Sequence, residues 1–544
     1  MRSLKNHIVR KKYLSVLMIL ISVLILFNGC TVTEAIHTKK KIREMFRMNK
    51  KLQQEGYYTA EFEFKMLGVS YYLNKGEYKK AFAMLDRLYN QLETREGLIK
   101  IPSFKNKSEE MDFYLNLQNP ETGAFMDSSY PVSSFTGPTG NVLEHLDELA
   151  RETNRPLKLK YPLKYLDEIC TPEKLVTYFN DVATVNWIAA KLPQTTFHNT
   201  RDILSLFFED SVVMKYNLYP VTPEFQQTMI KWFYDWQDAE TGLWGPKNKN
   251  GKLMKKDISN TASILKIFVN KNGGNAYRDY PLRYKDALCN SFLDDTLSTI
   301  PGDDDVDDWH EWNLKVPKTI NSFTRYFWND ISDKTKIRVK KLIGLYITTS
   351  FKKFYVYEEG AFTNQPYSKH AVLDAFGTYA IFESIGALSS EKQIKYWGSR
   401  ENTIQNLGVF EKSEISGKDL KVLLRQKEVN SFRIYQNGRL PEEMTAGVSA
   451  VFYPRKKTVL DIVDLTPRMR LWLSTTDQSM GNWTSRDAAI QKMNEIKIME
   501  VPVYENGIPV DIINSFFKNA DELSIIGFDI LQIPVCEITF AGKN

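Results

Sequence analysis

The densest chemistry-bearing stretch of the chain is Gly302-Asp303-Asp304-Asp305-Val306-Asp307-Asp308-Trp309-His310-Glu311-Trp312. Five carboxylates within six residues repel one another, so they need solvent, a cation or shared protons. Ca²⁺, which takes several oxygen ligands, is the one cofactor that the Asp303–Asp308 run suggests. A solvated helix N-terminus, where carboxylates favour the dipole, is the plainer role. Trp309 and Trp312 carry faces that can stack on pyranose rings, although core packing is an equally good use of an indole. Asp307 or Asp308, with an acid across a cleft, could form the acid/base pair of a glycosidase. Outside the N-terminal segments there are four histidines, His145, His198, His310 and His370, and none makes H-E-x-x-H or another close metal pair. His310 beside the acids and His370 after Tyr367 are the candidates for proton transfer. The sequence contains no Walker A loop, no G-x-S-x-G and no G-x-G-x-x-G after a strand, so those chemistries have no support.

The elements that must position these residues begin with an address. Residues 1–13 carry Arg2, Lys5, Arg10, Lys11 and Lys12 without an acid, Leu14–Phe27 is almost wholly apolar, and Phe27-Asn28-Gly29-Cys30 follows. A basic start, a short apolar core and a small residue before the cut are the parts of a secretory signal. The apolar run is shorter than the roughly 20 residues a spanning helix needs. Gly29-Cys30 resembles a bacterial lipobox, although Phe27 and Asn28 depart from its usual Leu and small residue. The resemblance implies cleavage before Cys30, lipid on that thiol, and a membrane-anchored protein on the extracytoplasmic face. Residues 30–56, polar and Lys-rich, then suit a tether. The five basic residues of the signal account for most of the net charge of +6, leaving about +1 for the remainder. Charge therefore gives no support to nucleic-acid binding. Cys170, Cys289 and Cys536 are far apart in sequence and odd in number, which points to buried free thiols rather than to disulfides or a metal site.

Internal repetition organises the rest. Residues 112–125 read DFYLNLQNPETGAF, residues 234–245 read YDWQDAETGLWG, and residues 355–362 read YVYEEGAF. Their glycines, Gly123, Gly242 and Gly360, stand 119 and 118 residues apart. Asn119–Gly123 and Asp238–Gly242 place turn-favouring polar residues before a Gly free to take positive φ, so that the next aromatic can fold back on the preceding helix. Apolar-periodic stretches follow at Gly140–Leu149, Ile258–Phe268 and His370–Leu388, with further amphipathic stretches at Leu175–Leu192, Ile203–Met214 and Ile320–Phe327. A period near 119 is too long for one helical hairpin and suits two, giving about six hairpins over residues 57–400. Residues 401–424 read as a linker. From residue 425 the pattern turns β-rich, with candidate strands at Ser431–Tyr435, Gly447–Tyr453, Thr458–Val463, Arg468–Leu473, Ile498–Tyr504 and Leu523–Phe540. Candidate helices fall at Arg486–Ile496 and Val510–Ala520. The expected fold class is mainly α, an (α/α) toroid with a C-terminal β-rich or α+β domain.

Six helical hairpins with Gly-aromatic turns and a β-rich domain behind resemble the α/α-toroid superfamily, which includes six-hairpin glycosidases, toroidal polysaccharide lyases and the terpenoid cyclase group. The resemblance is architectural. It implies a surface-anchored protein that binds or processes extracellular carbohydrate, as a lyase or a hydrolase. For a lyase, a Tyr or His would take the proton α to a uronate carboxylate while an Asn, Arg or His neutralises that charge. The candidates are Tyr357, Tyr367, Asn364 and His370, with Asn186 near Trp187. Asp305–Asp308 is also similar to the D-x-D-D acid motif of terpenoid cyclases, and Gln237–Trp244 to their Q…G-x-W turn. An exported protein has no obvious supply of prenyl diphosphate, so that reading is remote. A non-catalytic binding or assembly lipoprotein, using the same ring as a docking surface, stands as the alternative to an enzyme.

Overall fold

The computed structural model describes residues 41–42, 44–49, 51–52, 55–59, 61–192, 194–208, 211–270, 273–298, 300–302, 306–356, 361–363, 366, 378, 381, 384–385, 395–396, 405–411, 431–436, 448–455, 459–464, 499–502, 522–528 and 534–541. The protein is mainly helical and divides into two compact units, Met1–Phe268 with Tyr277–Ala287, and Val269–Ala276 with Leu288–Asn544.

The first unit contains helices α1 (Phe62–Asn74), α2 (Tyr78–Thr94), α3 (Lys107–Asn116), α4 (Thr136–Thr153), α5 (Pro172–Ala183), α6 (His198–Leu206), the short α7 (Val212–Lys215), α8 (Pro223–Trp236) and α9 (Ile258–Phe268). Helix starts are written locally. Asn106 caps α3 by accepting from Glu109 N–H, and Thr171 and Thr222, each followed by Pro at the first helical position, cap α5 and α8. Neighbours pack in a regular scheme: α3 on α4, α4 on α6, α6 on α9, and α5 on α8. One apolar core joins them, with Phe179, Phe233, Trp244, Phe268 and Leu146 fully buried. Each such side chain contributes about 1.5–3 kcal/mol on burial.

The turn expected at each repeat is built alike in the two copies that the described residues contain. Gly123 and Gly242 take φ of 72° and 70°. Gly123 N–H donates to Asn119 O, and Gly242 N–H to Asp238 O, both at 2.8 Å. Gln118 Nε2 donates to Gly123 O at 2.8 Å and Tyr161 O at 2.7 Å; Gln237 Nε2 donates to Gly242 O at 2.8 Å and Arg283 O at 2.9 Å. Phe125 N–H reaches Thr139 Oγ1 on α4, and Trp244 N–H reaches Thr261 Oγ1 on α9. Trp244 does fold back on the preceding helix, its Nε1 donating to Phe233 O at 2.7 Å while the ring stacks on Phe268. The third glycine, Gly360, lies outside the described residues, as does most of His370–Leu388.

Three local expectations differ from what is seen. Leu175–Leu192 is not one helix: α5 stops at Ala183, where Thr184 pairs with Lys247 and Val185 N–H donates to Lys247 O. Ile203–Met214 is likewise split, because Ser211 caps a new short helix. Within the Lys-rich stretch read as a tether, residues 41–42 and 44–49 are helical, and Met45 and Leu52 enter the core. Ile42, Met45, Met48 and Leu52 form an apolar stripe that the lysines obscure, so the described part of this stretch packs on the folded body.

In the second unit, α10 (Lys285–Ser298), α11 (Val306–Ser322) and α12 (Asp333–Thr349) are described, the last two each followed by a π turn. Ile320–Phe327, expected as a helix, is the end of α11 and its π turn. A two-stranded pair, β1 (Tyr355–Val356) and β2 (Ala361–Phe362), precedes a seven-stranded sheet. Its strands are β3 (Gln405–Glu411), β4 (Ser431–Gln436), β5 (Val448–Arg455), β6 (Val459–Asp464), β7 (Met499–Pro502), β8 (Glu522–Phe528) and β9 (Pro534–Ala541), in the order β3-β9-β8-β4-β5-β6-β7. All pairings are antiparallel except β3 with β9. On β9, Cys536, Ile538 and Phe540 are buried while Glu537 and Thr539 are half-exposed, the period-2 pattern of a strand with one covered face. Strand β3 falls in the stretch read as a linker; Arg468–Leu473 and the helices expected at Arg486–Ile496 and Val510–Ala520 lie outside the described residues. Cys289 and Cys536 are buried free thiols, but Cys170 is exposed, since it sits in the turn just before the cap of α5.

Candidate functional site

Helices α4, α6 and α9 share a feature that amphipathic surface helices lack. Each is buried almost all round, and each leaves one narrow stripe open at i, i+3/i+4, i+7 spacing. On α4 the stripe holds Asn141, Glu144 and Glu148, on α6 His198, Arg201 and Ser205, and on α9 Ser259, Ser263 and Lys266. α6 packs against both α4 and α9, and Arg201 on its row acts electrostatically on Glu144 of α4, so the first two rows adjoin. A helix enclosed by protein elsewhere has no reason to expose charge for solubility, which marks these rows as the candidate site.

The first two rows are electrostatically coupled. Glu144 is open to solvent, yet protein crowds it enough for desolvation, aided by the Glu148 charge and opposed by Arg201, to push its carboxyl up to about 7. One turn further on, Glu148 Oε2 lies 3.8 Å from Nδ1 of the buried His145, whose Nε2 is 3.2 Å from Glu110 Oε1 on α3. Burial alone would lower the His145 pKa, but the hydrogen bond with Glu110 and the charges of Glu110 and Glu148 outweigh it and raise the imidazole; across 3.8 Å Glu148 acts on the ring as a charge, without a hydrogen bond. Burial likewise opposes ionisation of Glu110, and His145 with Lys107 reverses that, so its carboxyl lies below the ordinary range. On α6, Arg201 Nη2 donates to His198 Nε2 at 2.7 Å and lies 3.0 Å from Asp202 Oδ1. Arginine can only donate, so the ring proton of His198 belongs on Nδ1. A carboxyl protonated near neutrality beside an ionisable partner on one helix is the equipment of general acid–base chemistry.

The residues expected from sequence are distributed differently. Trp309 and Trp312 on α11 are buried, with Nε1 donating to Gly302 O and Thr296 O, and they meet edge to face at 5.4 Å. They serve the core of the second unit. Asp308 is exposed near the start of α11. Asp307 and His310 belong to the same helix, but their side chains lie outside the described residues, as do Tyr357, Asn364, Tyr367, His370, Cys30 and Asp303–Asp305. Asn186 is committed to structure: its Nδ2 donates to Leu73 O and Asn74 O, and its Oδ1 accepts from Ile188 and Ala189 N–H. That pinned loop presents Trp187, exposed at 47%. Among the described residues no group of three or more His, Cys, Asp or Glu is arranged to hold a metal ion, and no helix is long and apolar enough to cross a membrane.

Glu110, Glu144, His145, Glu148, His198 and Arg201 escape a reading based on motifs, because they come from three separate helices spread over residues 107–206 and meet only in the fold. Their signal was present in weaker form, as E-H-x-x-E on α4 and H-x-x-R on α6 within otherwise apolar helices. Comparison with models of known families finds no match to the chain, and comparisons with characterised proteins and with solved structures find none either.

Proposed function

We propose that the protein is an extracytoplasmic lipoprotein, anchored through Cys30, whose helical hairpins over residues 57–400 form an (α/α) toroid that binds and cleaves extracellular carbohydrate. The observation that carries this reading is the pairing of Glu144 and Glu148 one helical turn apart in unlike environments, Glu144 exposed and Glu148 largely covered beside His145. Residues four apart on a helix have Cβ atoms about 5–6 Å apart, within reach of one glycosidic bond. In hydrolysis Glu144 gives its proton to the departing oxygen as the C–O bond breaks. At that spacing Glu148 attacks the anomeric carbon as the bond breaks, and a water deprotonated by Glu144 then displaces it, which restores both carboxyls. His198 and Arg201, on the adjoining row, would hydrogen-bond sugar hydroxyls or a uronate carboxylate, and Trp187 offers an indole face for stacking. Support for the toroid comes from the pairing of α3 with α4 and α5 with α6 inside one 119-residue period.

The test is a panel of neutral and acidic polysaccharides incubated with the purified chain, read by new reducing ends and by unsaturated uronates. New reducing ends without unsaturation, abolished by Glu144→Gln, are expected. Unsaturated products would replace hydrolysis by elimination. Binding without cleavage across the panel would favour the docking alternative, and neither binding nor cleavage would overturn the carbohydrate reading. For the anchor, metabolic labelling with a fatty acid should mark the wild type and not Cys30→Ala.

A further inference from the structure

Below the exposed row of α4 lies a second ionic layer that the acid–base pair does not use directly. Glu110 and His145 are only 2% and 3% exposed, and the imidazole lies between two carboxylates, Glu110 at 3.2 Å and Glu148 at 3.8 Å. The ring is also packed edge to face on Tyr114 at 4.5 Å. Glu110 is itself held by Lys107 Nζ at 3.0 Å, and Lys107 reaches Glu152 at 3.7 Å. Burying an ion pair so deeply is costly unless its geometry is tightly satisfied. A hydrophobic residue at 145 would fill the same space between α3 and α4 without that cost. The one difference it would make at the surface concerns Glu148, which would lose the cation beside it.

We infer that the buried Glu110–His145 pair is a positioning device for Glu148, holding that carboxylate in one rotamer on the open row, one turn from Glu144. This rests on the acid–base reading for its purpose but not for its physical content. Glu110 fixes the ring through Nε2, which leaves Nδ1 directed at Glu148, and Tyr114 sets the ring plane. The groups against His145 are Glu110 and Tyr114 from α3 and Glu148 from its own helix, while Lys107 acts on Glu110, and Arg201 of α6 acts on Glu144. Among these, only Glu110 and Glu148 act on the imidazole directly. His145 and Glu110 are therefore positioning residues, and Glu144 and Glu148 are the groups that would touch substrate.

The experiment is a pH titration of the histidine rings by nitrogen-15 NMR on the full chain, with the His145 signal assigned through His145→Gln. The wild-type ring should titrate above an ordinary histidine, and Glu148→Gln should lower its midpoint by about one unit, the size expected when one adjacent carboxylate is removed. Glu110→Gln should lower it further. Glu148→Asp, which withdraws the carboxylate by one methylene, should give a smaller shift in the same direction and serves if the Gln variant does not fold. A His145 midpoint unmoved by either Glu148 variant, with near-UV circular dichroism unchanged, overturns the proposal. No glycan enters this titration, so a panel without a cleaved polysaccharide leaves it intact, while an unmoved ring defeats it even if cleavage is found. Where cleavage is found, His145→Gln should lower kcat with little change in KM.

Discussion

The turn after α3 and the turn after α8 are two copies of one device, and the helices that follow them are not. In both turns a Gln side chain ties the glycine carbonyl to a distant backbone carbonyl, a positive-φ glycine closes the loop, and a threonine of the next helix accepts the N–H two residues on. The interval is 119 residues through the turn and 122 from Thr139 to Thr261, as it is from Tyr161 to Arg283. Three extra residues after Trp244 therefore leave the frame intact. Carried forward in that register, Asn141 corresponds to Ser263 and Glu144 to Lys266. Buried framework positions repeat because each satisfies a hydrogen bond that would otherwise be lost at a cost of about 1–3 kcal/mol. Positions on the open rows carry no such obligation, and there the copies diverge in charge. The divergence places the candidate chemistry in the first copy.

The comparison can be broken most forcefully at the glycines. A Cβ on Gly123 would fall 1.9 Å from Pro162 O, and its φ of 72° is strained for any other residue. Gly123→Ala should cost more than about 3 kcal/mol in urea unfolding, as should Trp244→Ala, which empties a fully buried indole site. A loss below about 1 kcal/mol in Gly123→Ala would mean that the turn is not the rigid joint described. Removing the tie itself, by Gln118→Ala and Gln237→Ala separately, should cost about 1–3 kcal/mol each. The two losses should agree to within about 1 kcal/mol; a large disparity would separate the copies energetically.

A smaller effect concerns pH. Glu144, with its carboxyl raised from the ordinary value to about 7, disfavours folding progressively as pH rises through that interval, because the unfolded chain ionises more readily. His145, also raised, contributes stability that is complete below its unfolded pKa and is lost as pH rises through the folded one. Glu110 and Asp147, both lowered, contribute stability above their ordinary range that is lost on acidification. Melting temperature should thus peak on the acid side of neutrality. Glu144→Gln should flatten the fall between about pH 5 and 7; an unchanged profile would remove Glu144 from that role. Smallest of all, Ser205→Ala on the open row of α6 should change stability by less than about 0.5 kcal/mol, and a loss comparable with Gln118→Ala would contradict its exposed placement.

What could be read in the chain beforehand was whatever is encoded locally. The Gly-aromatic turns at Gly123 and Gly242, the Ile258–Phe268 helix and the hydrophobic alternation of the last strand depend on neighbours a few residues away, and they formed where their patterns stood. Gln118 and Gln237 were equally legible, since they recur at the interval of the glycines. Their partners Tyr161 and Arg283 are 43 and 46 residues further on. Tertiary structure decided the rest. Trp309 and Trp312 have the composition of a sugar platform, but Gly302 and Thr296 carbonyls and the surrounding core claimed them. Glu144, Glu148, His198 and Arg201 acquired meaning only because α4, α6 and α9 are enclosed on every other side, a property no single helix can announce. Periodicity tells which residues share a face, and the number of neighbours around the helix decides whether that face is a surface or a site.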